Sequence, residues 1–188
     1  KCTTDHISPA GKWLRFRGHL DRISDNMLLG AVNAFSGEAG KALDPADGQR
    51  KEPAVVARGH KAKGLRFIIV GDENYGEGSS REHAAMSPRY LGAAAVITKS
   101  FARIHETNLK KQGVLPLTFA DPTDWDKVRE DDRVSVLGLA ALAPGQPLKA
   151  ELLHKDGARE TLSLRHTLNA EQIAWFKAGS ALNLMKGR

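Results

Sequence analysis

Two rhythms of apolar and polar residues run along this chain, and together they predict its elements. Residues 65–70 (LRFIIV) are a short apolar, β-branched run, the pattern of a buried strand. A glycine-rich turn follows, and residues 80–91 then take helical spacing. Residues 93–98 (AAAVIT) predict the next strand, 101–112 (FARIHETNLKKQ) an amphipathic helix closed by Gly113, and 114–119 a third strand. Strand–helix–strand–helix–strand in that order predicts an α/β core with parallel pairing. Beyond it, 133–137 and 148–154 predict strands, with Lys155-Asp156-Gly157 turning the chain into another over 160–165. Residues 169–185 predict a closing helix with a break at Gly179-Ser180. The expected architecture is an α/β core with a β-rich layer beside it.

The first third is less regular. Ile23, Met27, Leu28, Ala31 and Val32 have helical spacing over 21–35, and 53–63 predicts another helix. Between them, 37–53 (GEAGKALDPADGQRKEP) is rich in Gly, Pro, Asp and Lys and reads as a surface loop or linker. The chain opens Lys1-Cys2-Thr3-Thr4, with no initiator Met and no signal or transit pattern. The expectation is a single domain, residues 1–188, cut from a longer protein.

At 188 residues the chain can bury roughly 70% of its unfolded surface, enough for one core. No apolar run approaches the ~18 residues that a membrane-spanning helix needs. The single cysteine, Cys2, excludes an intrachain disulfide framework and any all-cysteine metal or iron–sulfur site. A net charge of +6 suits a polyanionic partner, a multiply charged carboxylate, phosphate or nucleic acid, or serves solubility alone.

Chemistry concentrates where the first strand hands over to a helix, in Gly71-Asp72-Glu73-Asn74-Tyr75-Gly76-Glu77-Gly78-Ser79-Ser80-Arg81-Glu82-His83. Glycines let a ligand approach the backbone, and serine hydroxyls near a helix start favour an anion. Arg81 adds a fork that matches a carboxylate. The bland alternative makes Ser79 or Ser80 a helix N-cap. The glycine spacing is neither the dinucleotide fingerprint nor a Walker A loop. Spacing alone does not choose between the two serines.

The runs GDENYGEGSSREHAA and ITKSFARIHETNLKKQGVLPLTF, the opening TTDHISPAG and the segment FRGHLDRIS resemble the carboxy-terminal swivelling domain of the aconitase family. The resemblance covers Thr3 to about Met185. It implies a hydro-lyase domain that helps interconvert citrate and isocitrate through cis-aconitate. It gives Ser79 the role of base, Ser80 and Arg81 that of substrate ligands, and Arg17 a part in holding substrate and activating the serine. Asp5, His6 and Ser8 fall near the site, Asp5 and Ser8 as supporting groups. The family's 4Fe–4S cluster is held by cysteines of other domains, so the resemblance implies cluster-bearing domains as partners and no metal on this chain. It places the protein in the mitochondrial matrix or a bacterial cytoplasm. Two rivals remain: the small subunit of isopropylmalate dehydratase, and an RNA-binding aconitase relative, for which the sequence shows no arginine-rich or aromatic platform.

Other residues read as structural. His83 is expected to make a structural hydrogen bond, and His105 and Glu106 to support the loop from below. His19 either orients the Arg17 segment or fills surface. Trp125, Trp175 and Phe176 read as packing anchors, Lys110-Lys111 as a solvated helix end, and Asp72, Glu73, Glu77 and Glu82 as acids facing solvent or arginine.

Overall fold

The computed structural model describes residues 1–187. One six-stranded sheet organises them. Its parallel half is β3 (Phe67–Val70), β4 (Ala93–Thr98) and β5 (Leu115–Phe119); its antiparallel half is β6 (Arg133–Leu137), β7 (Leu148–Leu153) and β8 (Arg159–Arg165). The spatial order is β3-β4-β5-β8-β7-β6, so the predicted core and β-rich part join edge to edge at β5–β8. Each parallel connection carries one helix: α4 (His83–Leu91) from β3 to β4, and α5 (Arg103–Gln112) from β4 to β5.

Burial follows this layout. β4 and β5 lie inside the sheet and are mostly buried, which is why their sequence is apolar apart from Thr98 and Thr118. Ile69 and Val96 join Ala84, Ala85 and Leu109 in one cluster, whereas Ala95 and Ile97 join Leu117, Phe119 and the antiparallel strands in another. Trp125 and Phe176 pack on this second cluster, as the anchor reading requires. β3 is an edge strand; of its four residues only Ile69 is buried, so the fully buried strand expected there is not found. β6, the opposite edge, alternates exposed Arg133, Ser135 and Leu137 with Val134 and Val136 turned to the core.

The helix expected over 21–35 is the clearest departure. Only α2 (Leu20–Ser24) forms, and the chain then turns. Tertiary bonds replace helical ones: Leu28 N–H donates to Ile7 C=O (2.8 Å) and Gly30 N–H to His6 C=O (3.1 Å). Leu28 takes φ +60° to reach them. Ile23 and Met27 are still buried, so the apolar spacing served burial without a helix. Loop 37–53 contains a small hairpin, β1 (Ala42–Leu43) with β2 (Arg50–Lys51), fastened by two Arg50–Glu130 hydrogen bonds of 2.7 Å. The helix α3 (Pro53–Ala62) opens on its proline, as 53–63 predicted.

The carboxy-terminal helix breaks where expected, into α6 (Ala170–Ala178) and α7 (Ala181–Lys186) around Gly179 and Ser180. The end of α5 meets that break. A Cβ on Gly113 would lie 2.0 Å from the Gly179 carbonyl oxygen, so only glycine fits. Lys110 is not solvated: its stem is buried and Nζ reaches Thr167 Oγ1 at 2.6 Å and Glu106 at 3.3 Å. Buried on a helix packed against α6, its amine finds partners in place of water. Among the described residues no helix is long and apolar enough to cross a membrane.

Candidate active site

The loop leaving β3 is held on both sides. From one side, Tyr75 N–H donates to Ser100 C=O (3.0 Å) and Ala102 N–H to Tyr75 C=O (2.9 Å). From the other, Gly76 N–H donates to Cys2 C=O (2.7 Å) and Thr4 N–H to Glu77 C=O (2.8 Å). The amino-terminal segment and the start of α5 thus clamp three consecutive loop residues, Tyr75, Gly76 and Glu77. Beneath them lies His105, buried and 5.5 Å from the Tyr75 ring. Gly76, at φ +83°, rests on it: a Cβ there would sit 2.3 Å from His105 Cγ. Burial pushes the His105 imidazole down to about 4. This is the support from below expected of the FARIHET helix.

The loop continues into Ser79, Ser80 and Arg81 before any helix begins. α4 starts at His83, its N-cap is Glu82, and no side chain caps it, so neither serine is an N-cap. Arg81 turns toward the amino terminus instead. Its Nε–H donates to Ser79 Oγ (3.1 Å), and its Nη1 group donates to Ser8 C=O (3.0 Å) and pairs with Asp5 Oδ1 (2.5 Å). The Nη2 hydrogens remain available to a ligand among the described residues.

Asp5 and Ser8 reach this point through α1 (Thr4–Ile7) and its C-cap. A capping box pairs Thr3 with His6, Ile7 is fully buried, and Ser8 Oγ lies 3.2–3.3 Å from the Asn26 side-chain amide. Four of the expected residues therefore meet: Asp5, Ser8, Ser79 and Arg81. His6 accepts the Thr3 N–H at its Nδ1 (3.1 Å), which helps shape α1. Ser80 lines the adjacent cleft. Arg17 lies just after the 3₁₀ segment Gly11–Phe16 with its side chain exposed. Its N–H donates to Leu14 C=O (3.2 Å), and its carbonyl accepts from His83 Nε2–H at 3.0 Å, which is the structural bond expected of His83. Arg17 is thus anchored at the start of α4, but its guanidinium does not touch Ser79. His19 caps α2 through Arg22 N–H.

A cleft of about 630 Å³ opens between this loop and α5, lined by Thr4, Gly76, Gly78 and residues 79–82 on one side and Arg103, His105, Thr107, Asn108 and Lys111 on the other. The α5 wall is what sequence reasoning missed as a site. Its signal was present, since Arg103, Thr107 and Lys111 recur every four residues. Of the loop acids, Asp72 pairs with Lys99 (2.9 Å), which holds its carboxyl below the usual range.

A family model described as the aconitase C-terminal domain matches residues 1–122. The probable mitochondrial aconitate hydratases of Caenorhabditis elegans and Dictyostelium discoideum are each 59% identical over 99% of this chain. The mitochondrial aconitate hydratase of Saccharomyces cerevisiae is 55% identical over 99% of it. The chain spans about a quarter of the length of these curated relatives, 24% in each case. A crystal structure of 3-isopropylmalate dehydratase from Methanocaldococcus jannaschii shares the fold with a TM-score of 0.64 and 25% identity, over 99% of this chain and 87% of that one. The match across the clamped loop, the DHIS turn and the α5 support is that of a member: this chain belongs to the aconitase C-terminal domain family.

Proposed function

We propose that this chain is the swivelling domain of an aconitate hydratase of the mitochondrial matrix, supplying the proton-abstracting base for the interconversion of citrate and isocitrate through cis-aconitate. The observation that carries this reading is the Arg81 guanidinium, which joins Ser79 Oγ to Asp5 and the Ser8 carbonyl. Ser79 Oγ removes the proton beside a substrate carboxylate. A hydroxyl is a poor base in water, and the Arg81 Nε–H bond favours its anionic form. Asp5 and Ser8 hold that guanidinium in place, and its Nη2 edge with Ser80 grips the carboxylate whose charge grows as the proton leaves. Arg17, exposed and tied to the start of α4 by its carbonyl, supplies a second cation to substrate.

The family implies a 4Fe–4S cluster, and the residues of this chain do not fit it. Cys2 is the single cysteine, burial pushes its thiol up to about 11, and among the described residues no group of three or more His, Cys, Asp or Glu is arranged to hold a metal ion. The cluster and the substrate's hydroxyl belong, on this reading, to other domains of the same enzyme, and residues 1–188 form one domain of it.

The test is cis-aconitate formation from citrate by the full-length protein, with Ser79→Ala and Arg17→Lys variants. Removing the base should lower kcat by about 10²–10⁴-fold, the usual worth of a placed general base, and Arg17→Lys should raise KM. Undiminished turnover in Ser79→Ala would overturn the assignment. Turnover of isopropylmalate but not citrate would favour the structural neighbour's chemistry.

A further inference from the structure

The cleft between the loop and α5 is lined by buried polar groups with nothing to bond. Thr4 Oγ1, both ring nitrogens of His105 and Asn108 Nδ2 lack a hydrogen-bond partner among the described residues. Their side chains belong to residues only 2%, 2% and 8% exposed. Buried polar groups are almost always bonded, so unbonded ones lining a cavity mark a place that a ligand or water completes.

Their chemistry selects the ligand. Asn108 Nδ2 only donates, a neutral imidazole has one N–H to give, and the Thr4 hydroxyl donates freely. Because burial pushes the His105 imidazole down to about 4, the ring stays neutral at physiological pH. Above this floor stand Arg103 and Lys111, both exposed and neither in an ion pair among the described residues. Thr107 lies between them on the same face of α5, and Glu82 is the only carboxylate among the cleft's lining residues. Donors on the floor, two unpaired cations on the rim and one acid opposite make a seat for negative charge.

We infer that the α5 side of the cleft, with Thr4 facing it from α1, is a small-oxyanion subsite, built by Thr4, Arg103, His105, Asn108 and Lys111, that takes a carboxylate or phosphate group beside Ser79. If the function proposed above holds, the occupant is the substrate carboxylate farther from the reacting carbon; the subsite itself does not rest on that reading. The cleft, at about 630 Å³, has room for a tricarboxylate spanning both walls.

The test uses the full-length protein and the double variant Arg103→Gln/Lys111→Gln, whose exposed positions leave the core untouched. Asn108→Asp, isosteric but anionic, is the second variant, and Lys155→Gln on the distant β7–β8 turn is the control. Inorganic phosphate and tricarballylate, an unreactive tricarboxylate, are titrated by calorimetry at constant ionic strength, and KM for citrate is measured in parallel. The wild type should bind both anions. The double variant and Asn108→Asp should each weaken phosphate at least fivefold, and the double variant should raise KM at least fivefold with kcat within twofold. Weakened phosphate with unchanged KM keeps the subsite and overturns its assignment to substrate. Failure of the wild type to bind either anion, or full phosphate affinity in both variants, overturns the subsite. A wild type inert toward citrate would refute the proposed function, while the phosphate titration would still decide the subsite.

Discussion

Gly76 is where the loop, the helix beneath it and the site depend on one missing atom, and Gly76→Ala tests that dependence. Two costs add. An L-residue at φ +83° takes the left-handed region, at about 1–2 kcal/mol. The new methyl would lie 2.3, 2.4 and 2.5 Å from His105 Cγ, Cδ2 and Cβ, well inside contact distance. His105 is buried under the loop and cannot swing away, so relief requires lifting the loop or shifting α5, an overpacking cost of about 1–3 kcal/mol. The sum, about 2–5 kcal/mol, is a large part of the ~5–15 kcal/mol that holds a domain together. Urea denaturation followed by tryptophan fluorescence reads the loss. A second variant isolates the clash. His105→Ala removes a packed ring, but it also removes two unbonded nitrogens, so its own cost should stay near ~1–2 kcal/mol. In Gly76→Ala/His105→Ala the methyl finds space, and the double variant should be more stable than the sum of the singles by at least about 1 kcal/mol. Additive losses, or a Gly76→Ala midpoint equal to that of the wild type, would refute the reasoning.

Asp5→Asn should lower kcat by about 10–100-fold, the worth of one charge-assisted hydrogen bond, while the exposed pair, with Asp5 at 62%, changes stability by no more than ~1 kcal/mol; the denaturation midpoint and kcat together check this. His154 lies enclosed between Asp132 (2.5 Å) and Glu160 (3.1 Å), hydrogen bonds that raise its pKa above the usual value. The stability this contributes is fully present below the unfolded value of 6.5 and is lost as pH rises through the higher folded value. Denaturation midpoints from pH 5 to 9 should therefore fall more steeply with pH in the wild type than in His154→Gln, which keeps hydrogen bonds but cannot titrate; parallel profiles would contradict this. Cys2, with its thiol pushed up to about 11, should react with a disulfide reagent at pH 8 about 100-fold slower in the folded chain than in urea.

Much of the core was legible in sequence because its signals are local. β4 and β5 are mostly buried and so read as nearly continuous apolar runs, and the ends of β4 and β6 fall where the sequence predicts. Glycine and serine marked the break between α6 and α7 because a left-handed residue and an N-cap are single-residue demands. The loop of residues 71–82 stood out for the same reason: glycines, hydroxyls and an arginine stand within a dozen positions.

What escaped the sequence depended on partners far along the chain. The 21–35 stretch has helical spacing, but Ile7 and His6 offer its backbone other hydrogen bonds, and periodicity does not register such a competitor. Lys110 looked solvated until α6 and Thr167 closed over it. The bond from His83 to the Arg17 carbonyl, which fixes that residue at the start of α4, joins positions 66 apart and has no local signal. The meeting of Ser79 with Asp5 and Ser8 spans more than 70 residues and exists because α1 is clamped beside the loop. Sequence by itself determined the strands, the helix stops and the residue types of the site, since propensity, burial period and capping act over a few residues. Tertiary structure alone decided that the two sheet halves are continuous, that Arg81 is the cation on Ser79, and that α5 forms a second, donor-lined wall, since each is a contact between segments that neither segment encodes alone.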